Sequence, residues 1–205
     1  MDNHSVFAKV ERTNIMRLLR HKQLSLVVLA LASIPAWAAG PTAPGVPNFY
    51  QVNDHVYRGA QPTDEGWKSL ATLGVKTVID LRLQNEHPTQ AEKQAVEAAG
   101  MRYINIPMNG LIAPSNEQIS NVLSLLDSTK ESSVFVHCRR GADRTGTVIA
   151  CYRVAHDHWQ NKKALAEAKS AGMSWIEIGM RRYVQSYAPE TVSAAVDVAP
   201  AASHP

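Results

Sequence analysis

Ser133-Val134-Phe135-Val136-His137-Cys138-Arg139-Arg140-Gly141-Ala142-Asp143-Arg144-Thr145-Gly146 decides the reading of this chain. Val134, Phe135 and Val136 form a short run of β-branched and aromatic residues, the pattern of a buried strand. Cys138 opens a polar loop, and Thr147-Val148-Ile149-Ala150-Cys151-Tyr152 reads as the helix that follows. Strand, loop and helix N-terminus are the parts that bind a phosphate. Five residues separate Cys138 from Arg144. That spacing lets the loop curl into a cup, with backbone N–H groups turned inward and a guanidinium closing the rim.

Each position of the cup has a chemical use. Helix N-termini and neighbouring cations lower the pKa of a thiol. Cys138 precedes such a helix and adjoins Arg139, Arg140 and Arg144, so the sequence predicts a thiolate nucleophile. Thr145 offers a hydroxyl to the sulfur or to a phosphocysteine. Gly141 permits positive φ, and Gly146 permits close approach at the helix start. Arg144 presents a planar fork for two phosphate oxygens, a geometry that lysine lacks. Substrate contacts are therefore expected from Arg139, Arg140, Gly141, Ala142, Thr145 and Gly146, and catalysis from Cys138 and Arg144.

Moving outward, 205 residues suit one domain of ordinary size, and 45% hydrophobic content supplies a core. A net charge of +3 suits a small anionic substrate. It is too small and too scattered to argue for nucleic acid. Cys138 and Cys151 are the two cysteines, too few for a disulfide framework or a zinc cluster. Cys151 reads as a small buried hydrophobe. His156 and His158 stand two apart on a helix and share no face for a metal. No metal and no cofactor is expected.

Arg17, Arg20 and Lys22 precede an apolar run at 24–34, and Ala36-Trp37-Ala38 is a small-x-small cleavage pattern. These are the three regions of a secretory signal peptide. The run is short for a membrane span, which takes about 20 residues. Residues 1–38 thus read as leader and signal, with Met16 as an alternative start. The product is expected to be periplasmic or secreted, monomeric and without a stable membrane anchor. Residues 39–48 read as a Gly/Pro/Ala-rich linker, 49–187 as the domain and 188–205 as a flexible tail.

Within the domain, strands are expected at 52–58, 75–82, 102–107 and 133–137. Helices are expected at 63–73, 88–100, 115–127, along Thr147–Tyr152, at 162–171 and at 175–187. Gly74 and Gly100 stop two of them. This alternation predicts an α/β fold with a central, mostly parallel sheet flanked by helices. Cys138 then falls at the carboxyl end of a strand, where such sheets bind ligands. Trp159, Trp175 and Tyr183 read as packing residues.

His137-Cys138-x-x-Gly141-x-x-Arg144-Thr145-Gly146 resembles the phosphate loop of the cysteine-dependent protein tyrosine and dual-specificity phosphatases. Val56-Tyr57-Arg58-Gly59-Ala60-Gln61-Pro62 and Leu73-Gly74-Val75-Lys76-Thr77-Val78-Ile79-Asp80-Leu81-Arg82 are similar to the atypical plant, fungal and small bacterial dual-specificity enzymes. The resemblance implies hydrolysis of phosphate monoesters through a phosphocysteine, with no metal. It implies phosphoprotein, inositol-phosphate or phosphoinositide substrates. Arg58 and Arg82 read as structural partners of a carboxylate such as Asp80 or Glu86. A pseudophosphatase that only binds phosphorylated ligands and a sulfurtransferase remain as alternatives.

One departure concerns the proton donor. Members of the resembled family carry an aspartate after the third strand, but Met108-Asn109-Gly110-Leu111-Ile112-Ala113-Pro114 holds no acid. The short loop predicts an open, shallow cup. Asp143, just before Arg144, is the substitute the sequence offers, in an order similar to myotubularins. Asp143 also reads as a helix cap or the partner of a basic neighbour. Asp80 and Glu117 are weaker candidates.

Overall fold

A computed structural model describes residues 40–128 and 132–189. The expected leader and signal at 1–38, and the tail from 190 on, lie outside the described residues. Five strands form one sheet: β1 (Tyr50–Gln51), β2 (Val56–Gly59), β3 (Val75–Asp80), β4 (Arg102–Asn105) and β5 (Ser133–His137). Their order is β1-β2-β5-β3-β4. β5 pairs in parallel with β2 and β3, β3 pairs in parallel with β4, and β1 runs antiparallel to β2. The mostly parallel α/β sheet is as the alternation predicts.

Among the described residues six α-helices cover it: α1 (Asp64–Thr72), α2 (Thr89–Ala98), α3 (Asn116–Ser128), α4 (Asp143–Ala155), α5 (Asn161–Ser170) and α6 (Ile178–Ser186). Successive strand side chains alternate between faces. Val134 and Val136 accordingly join the apolar cluster with Val148, Ile149, Tyr152 and Leu165. Phe135 joins the opposite cluster with Trp67, Leu70 and Val96. Each large aliphatic side chain so buried contributes about 1.5–3 kcal/mol. Cys151 is buried among the first set, as a small hydrophobe, and burial pushes its thiol up. No helix among the described residues is long and apolar enough to cross a membrane.

The strand expected at 52–58 is confined to Val56–Gly59 and is preceded by an unexpected antiparallel strand, Tyr50–Gln51, and the strand expected at 102–107 ends at Asn105. Two further boundaries differ from the sequence reading. Of the expected linker at 39–48, the described part from Gly40 is not a bare linker. Ala43 and Val46 are buried against the Trp67 cluster, and Gly45 O accepts from Thr63 N. Composition hid this, because the docking is done by two small apolar side chains and by main-chain carbonyls such as those of Gly45 and Pro47. The last helix begins at Ile178, not Trp175. The Ser174 amide donates instead to Asp143 Oδ1 at 2.8 Å, and Trp175 is exposed rather than packed.

Beneath the carboxyl ends of β3 and β5 lies a buried ionic network. Arg82 donates to both Asp80 oxygens at 2.9 and 3.1 Å and also pairs with Glu92. Tyr103 donates to Asp80 Oδ2 at 2.8 Å. His87 Nε2 lies 2.8 Å from Asp80, and His137 Nε2 lies 3.1 Å from Glu92. Asp80, His87 and Glu92 place ligand atoms within 4.8 Å of one another. The Arg82 guanidinium already lies against both carboxylates, so the cluster is built around a cation from the chain itself.

Burial alone would raise the Asp80 carboxyl, but the Arg82 hydrogen bonds together with the charges of His137 and Arg82 outweigh it and hold the group below its usual range. A depressed folded value means stability that is complete above the unfolded carboxyl pKa of about 3.9 and lost as pH falls through the folded value. Asp80→Asn leaves Arg82 and Glu92 mismatched and is expected to cost about 3 kcal/mol at neutral pH. In urea melts across pH 2–7, the variant should also lose part of the acid-side slope of the parent.

Candidate active site

Cys138 follows β5 directly and is 2% exposed. It lies on the floor of a cleft of about 260 Å³ walled by Glu86, Gly110, Leu111, Arg139, Arg140, Asp143, Arg144 and Glu177. The loop above it is held by its carbonyls. Arg139 O accepts from Gln61 N at 3.3 Å. Arg140 O and Gly141 O accept from Asn48 Nδ2 at 3.2 and 3.1 Å. Gly141 O also accepts from buried Arg58 at 2.5 Å. Burial pulls the Arg58 guanidinium below its ordinary pKa. Its partner is thus a loop carbonyl rather than the carboxylate expected.

No backbone N–H from Arg139 to Thr145 meets a protein acceptor among the described residues; the first that does is Gly146 N, on Ala142 O at 2.8 Å. With carbonyls turned out to donors, the amides are left for an anion, as in backbone nests and first helical turns. Gly141 is needed twice over: its φ is +65°, and a Cβ there would collide with the Gly59 carbonyl. Gly146 lets α4 approach α5, where a Cβ would already sit 3.4 Å from that of Ala168. Ala142 is buried, and the Thr145 hydroxyl is buried without a hydrogen-bond partner among the described residues.

Arg144 is held end-on. Nη1 and Nη2 donate to Glu86 Oε1 and Oε2 at 2.7 and 2.9 Å, and Nη1 also reaches Met108 O at 3.2 Å. Burial would lower this guanidinium, but Glu86 and the Cys138 sulfur outweigh it and hold its pKa up. The same bond holds the Glu86 carboxyl below its usual range. Among the described residues Arg144 Nε donates to no oxygen, and the guanidinium also meets the Cys138 sulfur, beside which an oxyanion would lie.

Asp143 has both oxygens in use: Oδ2 pairs with Arg140 at 2.5 Å and Oδ1 accepts from Ser174 N. It pairs with a basic neighbour and ties the 174–177 loop to the start of α4. Arg139 and Arg140 are exposed at the rim. Arg82 and Asp80 belong to the network below, and Asn109 is spent on a turn, accepting from Leu111 N at 2.8 Å. Sequence reasoning missed Asn48, Glu86 in its orienting role, and Glu177. Asn48 sits at φ +52°, a conformation asparagine tolerates better than most residues. That tolerance was the one available signal.

An amide-lined cup around a buried cysteine, closed by an oriented arginine, defines the class of cysteine-dependent phosphatases. Residues 32–185 match the family described as DSP-PTPase phosphatase fused to NAD+ kinase, and the chain belongs to that family. It is 28% identical over 138 residues to the dual specificity protein phosphatase TpbA of Pseudomonas aeruginosa, covering 67% of this chain and 60% of that protein. It is 28% identical over 133 residues to the inositol diphosphatase DSP3 of Arabidopsis thaliana, covering 62% and 64%. The chain thus spans less than two thirds of either relative. The crystal structure of TpbA superposes with a TM-score of 0.62 at 26% identity, covering 76% of this chain and 92% of that one. The catalytic core of the PP-IP phosphatase SIW14 from S. cerevisiae shares the fold at 22% identity and a TM-score of 0.62.

Asn48→Ala removes three donations to carbonyls, on Arg140, Gly141 and Ala171. It is expected to cost about 1–2 kcal/mol of stability. Inhibition by vanadate should weaken by a larger factor than the melting temperature alone would suggest, because the cup loses its shape.

Proposed function

We propose that the chain is an exported phosphatase that hydrolyses phosphotyrosyl or other phosphoprotein monoesters through a phosphocysteine. The observation that supports this most is the set of backbone amides from Arg139 to Thr145 without acceptors among the described residues, gathered around Cys138. A neighbouring structure is TpbA in complex with pTyr. Export rests on the sequence at 17–38. Inositol phosphates are the second reading, favoured by the inositol diphosphatases among the relatives.

In this mechanism the Cys138 thiolate attacks phosphorus in line with the leaving oxygen. Loop amides and the side-on face of Arg144 hold the three equatorial oxygens, where charge spreads in the transition state. Glu86 keeps the guanidinium aimed. The P–O bond breaks as the S–P bond forms, and the leaving oxygen takes a proton. Three carboxylates wall the cleft: Glu86, Asp143 and Glu177. Glu86 is bound to Arg144 and Asp143 to Arg140 and Ser174. The Glu177 carboxylate has no hydrogen-bond or ion-pair partner among the described residues, and we assign the proton to it in place of Asp143. As a carboxylate it then takes a proton from the water that cleaves the phosphocysteine.

Cys138→Ser should abolish phosphate release while retaining tungstate binding, by a single-turnover assay and calorimetry. Glu177→Gln should lower kcat on phosphotyrosyl peptide by roughly 100-fold. On nitrophenyl phosphate, whose leaving group needs little protonation, the loss should be much smaller. Asp143→Asn keeps the oxygen that Ser174 uses and should not show this split; if it alone does, Asp143 is the acid.

A further inference from the structure

Six large apolar side chains are exposed among the described residues. Five of them, Leu111, Ile112, Trp175, Ile176 and Ile178, with exposures from 54% to 82%, stand in two segments that each supply a residue to the wall of the Cys138 cleft. Leu111 lines the cleft itself, and so does Glu177, which sits among the other three. The two segments touch, since a Cβ on Gly179 would lie 3.2 Å from Ala113 N and 3.8 Å from the Ile112 carbonyl carbon. Both are pinned. Asn109 fixes the turn at Leu111, Asp143 holds the Ser174 amide, and Arg181 donates to Trp175 O at 2.8 Å. Apolar surface concentrated in one place marks an interaction site, and fixing it beforehand lowers the cost of binding.

The charge of the cleft says what fits there. Its walls carry three guanidiniums, Arg139, Arg140 and Arg144, and three carboxylates, Glu86, Asp143 and Glu177. These cancel. A ring bearing many phosphates would bring further negative charge against the carboxylates with no cation for each. One phosphate on an apolar stem satisfies both the cup and its surroundings. Building on the phosphatase reading above, we propose that these five residues form a collar for the tyrosine ring and its apolar neighbours. The substrate class is then a phosphotyrosyl segment with large apolar residues beside the phosphotyrosine, in preference to inositol polyphosphates.

The test measures kcat/KM of the full chain on two phosphotyrosyl peptides that differ only in Leu or Ser on either side of the phosphotyrosine. Nitrophenyl phosphate, inositol hexakisphosphate and vesicles of phosphatidylcholine with a phosphoinositide complete the panel. The Leu peptide should be favoured by roughly tenfold, the effect of burying one large apolar side chain. The gain should appear chiefly in KM. Trp175→Ser/Ile176→Ser and, separately, Ile112→Ser should lower the ratio of Leu peptide to nitrophenyl phosphate by a similar factor. Equal rates on the two peptides would overturn the collar. So would an unchanged ratio in both variants, or faster release from hexakisphosphate or vesicles than from the Leu peptide. Phosphate release surviving in Cys138→Ser would instead refute the thiolate mechanism, leaving the two failures distinct.

Discussion

The structure depends on where the carbonyls of residues 139–141 point. A loop that presents a row of N–H groups to one side must turn its oxygens to the other, and buried oxygens need donors. Gln61 N, Asn48 Nδ2 and Arg58 supply them. The loop has little apolar side chain of its own to anchor it, so its shape is imposed from outside. That explains why β2, the turn after it and the 43–48 segment are packed so closely under the cup. It also explains why Gly141 sits where a side chain would strike Gly59.

A second constraint comes from below. His137 is fully buried at the last position of β5, stacked on Phe135 and close to Glu92. Through Glu92 and Arg82 it is linked to Asp80, at the end of the neighbouring strand. The carboxyl ends of the two central strands are thus locked to α2 by charges that lie outside water. Removing one partner strands the others, which makes such a network strict about geometry. Cys138, the next residue, inherits that fixed position.

The sheet was legible because its signals are local. Apolar runs at 75–81 and 133–137, separated by helical stretches with glycine stops, leave little choice but parallel strands. The phosphate loop was legible because its chemistry is contained within ten consecutive residues. The rest of the site comes from afar. Asn48 reaches carbonyls 92, 93 and 123 residues away. Glu86 meets Arg144 across 58 residues. Neither lies in a pattern that periodicity could flag. Asp143 shows the limit from the other side: its place in the motif was plain, but not that a backbone amide from Ser174 would occupy one of its oxygens. The same bond delayed the start of α6, so one tertiary contact accounts for two departures from the sequence reading.

The end-on seat of Glu86 on Arg144 has a consequence for residence time. Every anion entering the cup meets a guanidinium whose charge a carboxylate already shares. In the proposed reaction, substrate and released phosphate are gripped less firmly than a solitary arginine would grip them, while the direction of the fork is settled before either arrives. Weak hold on ground states with preset aim is the combination that would let a catalyst of this design let go of its product and begin again.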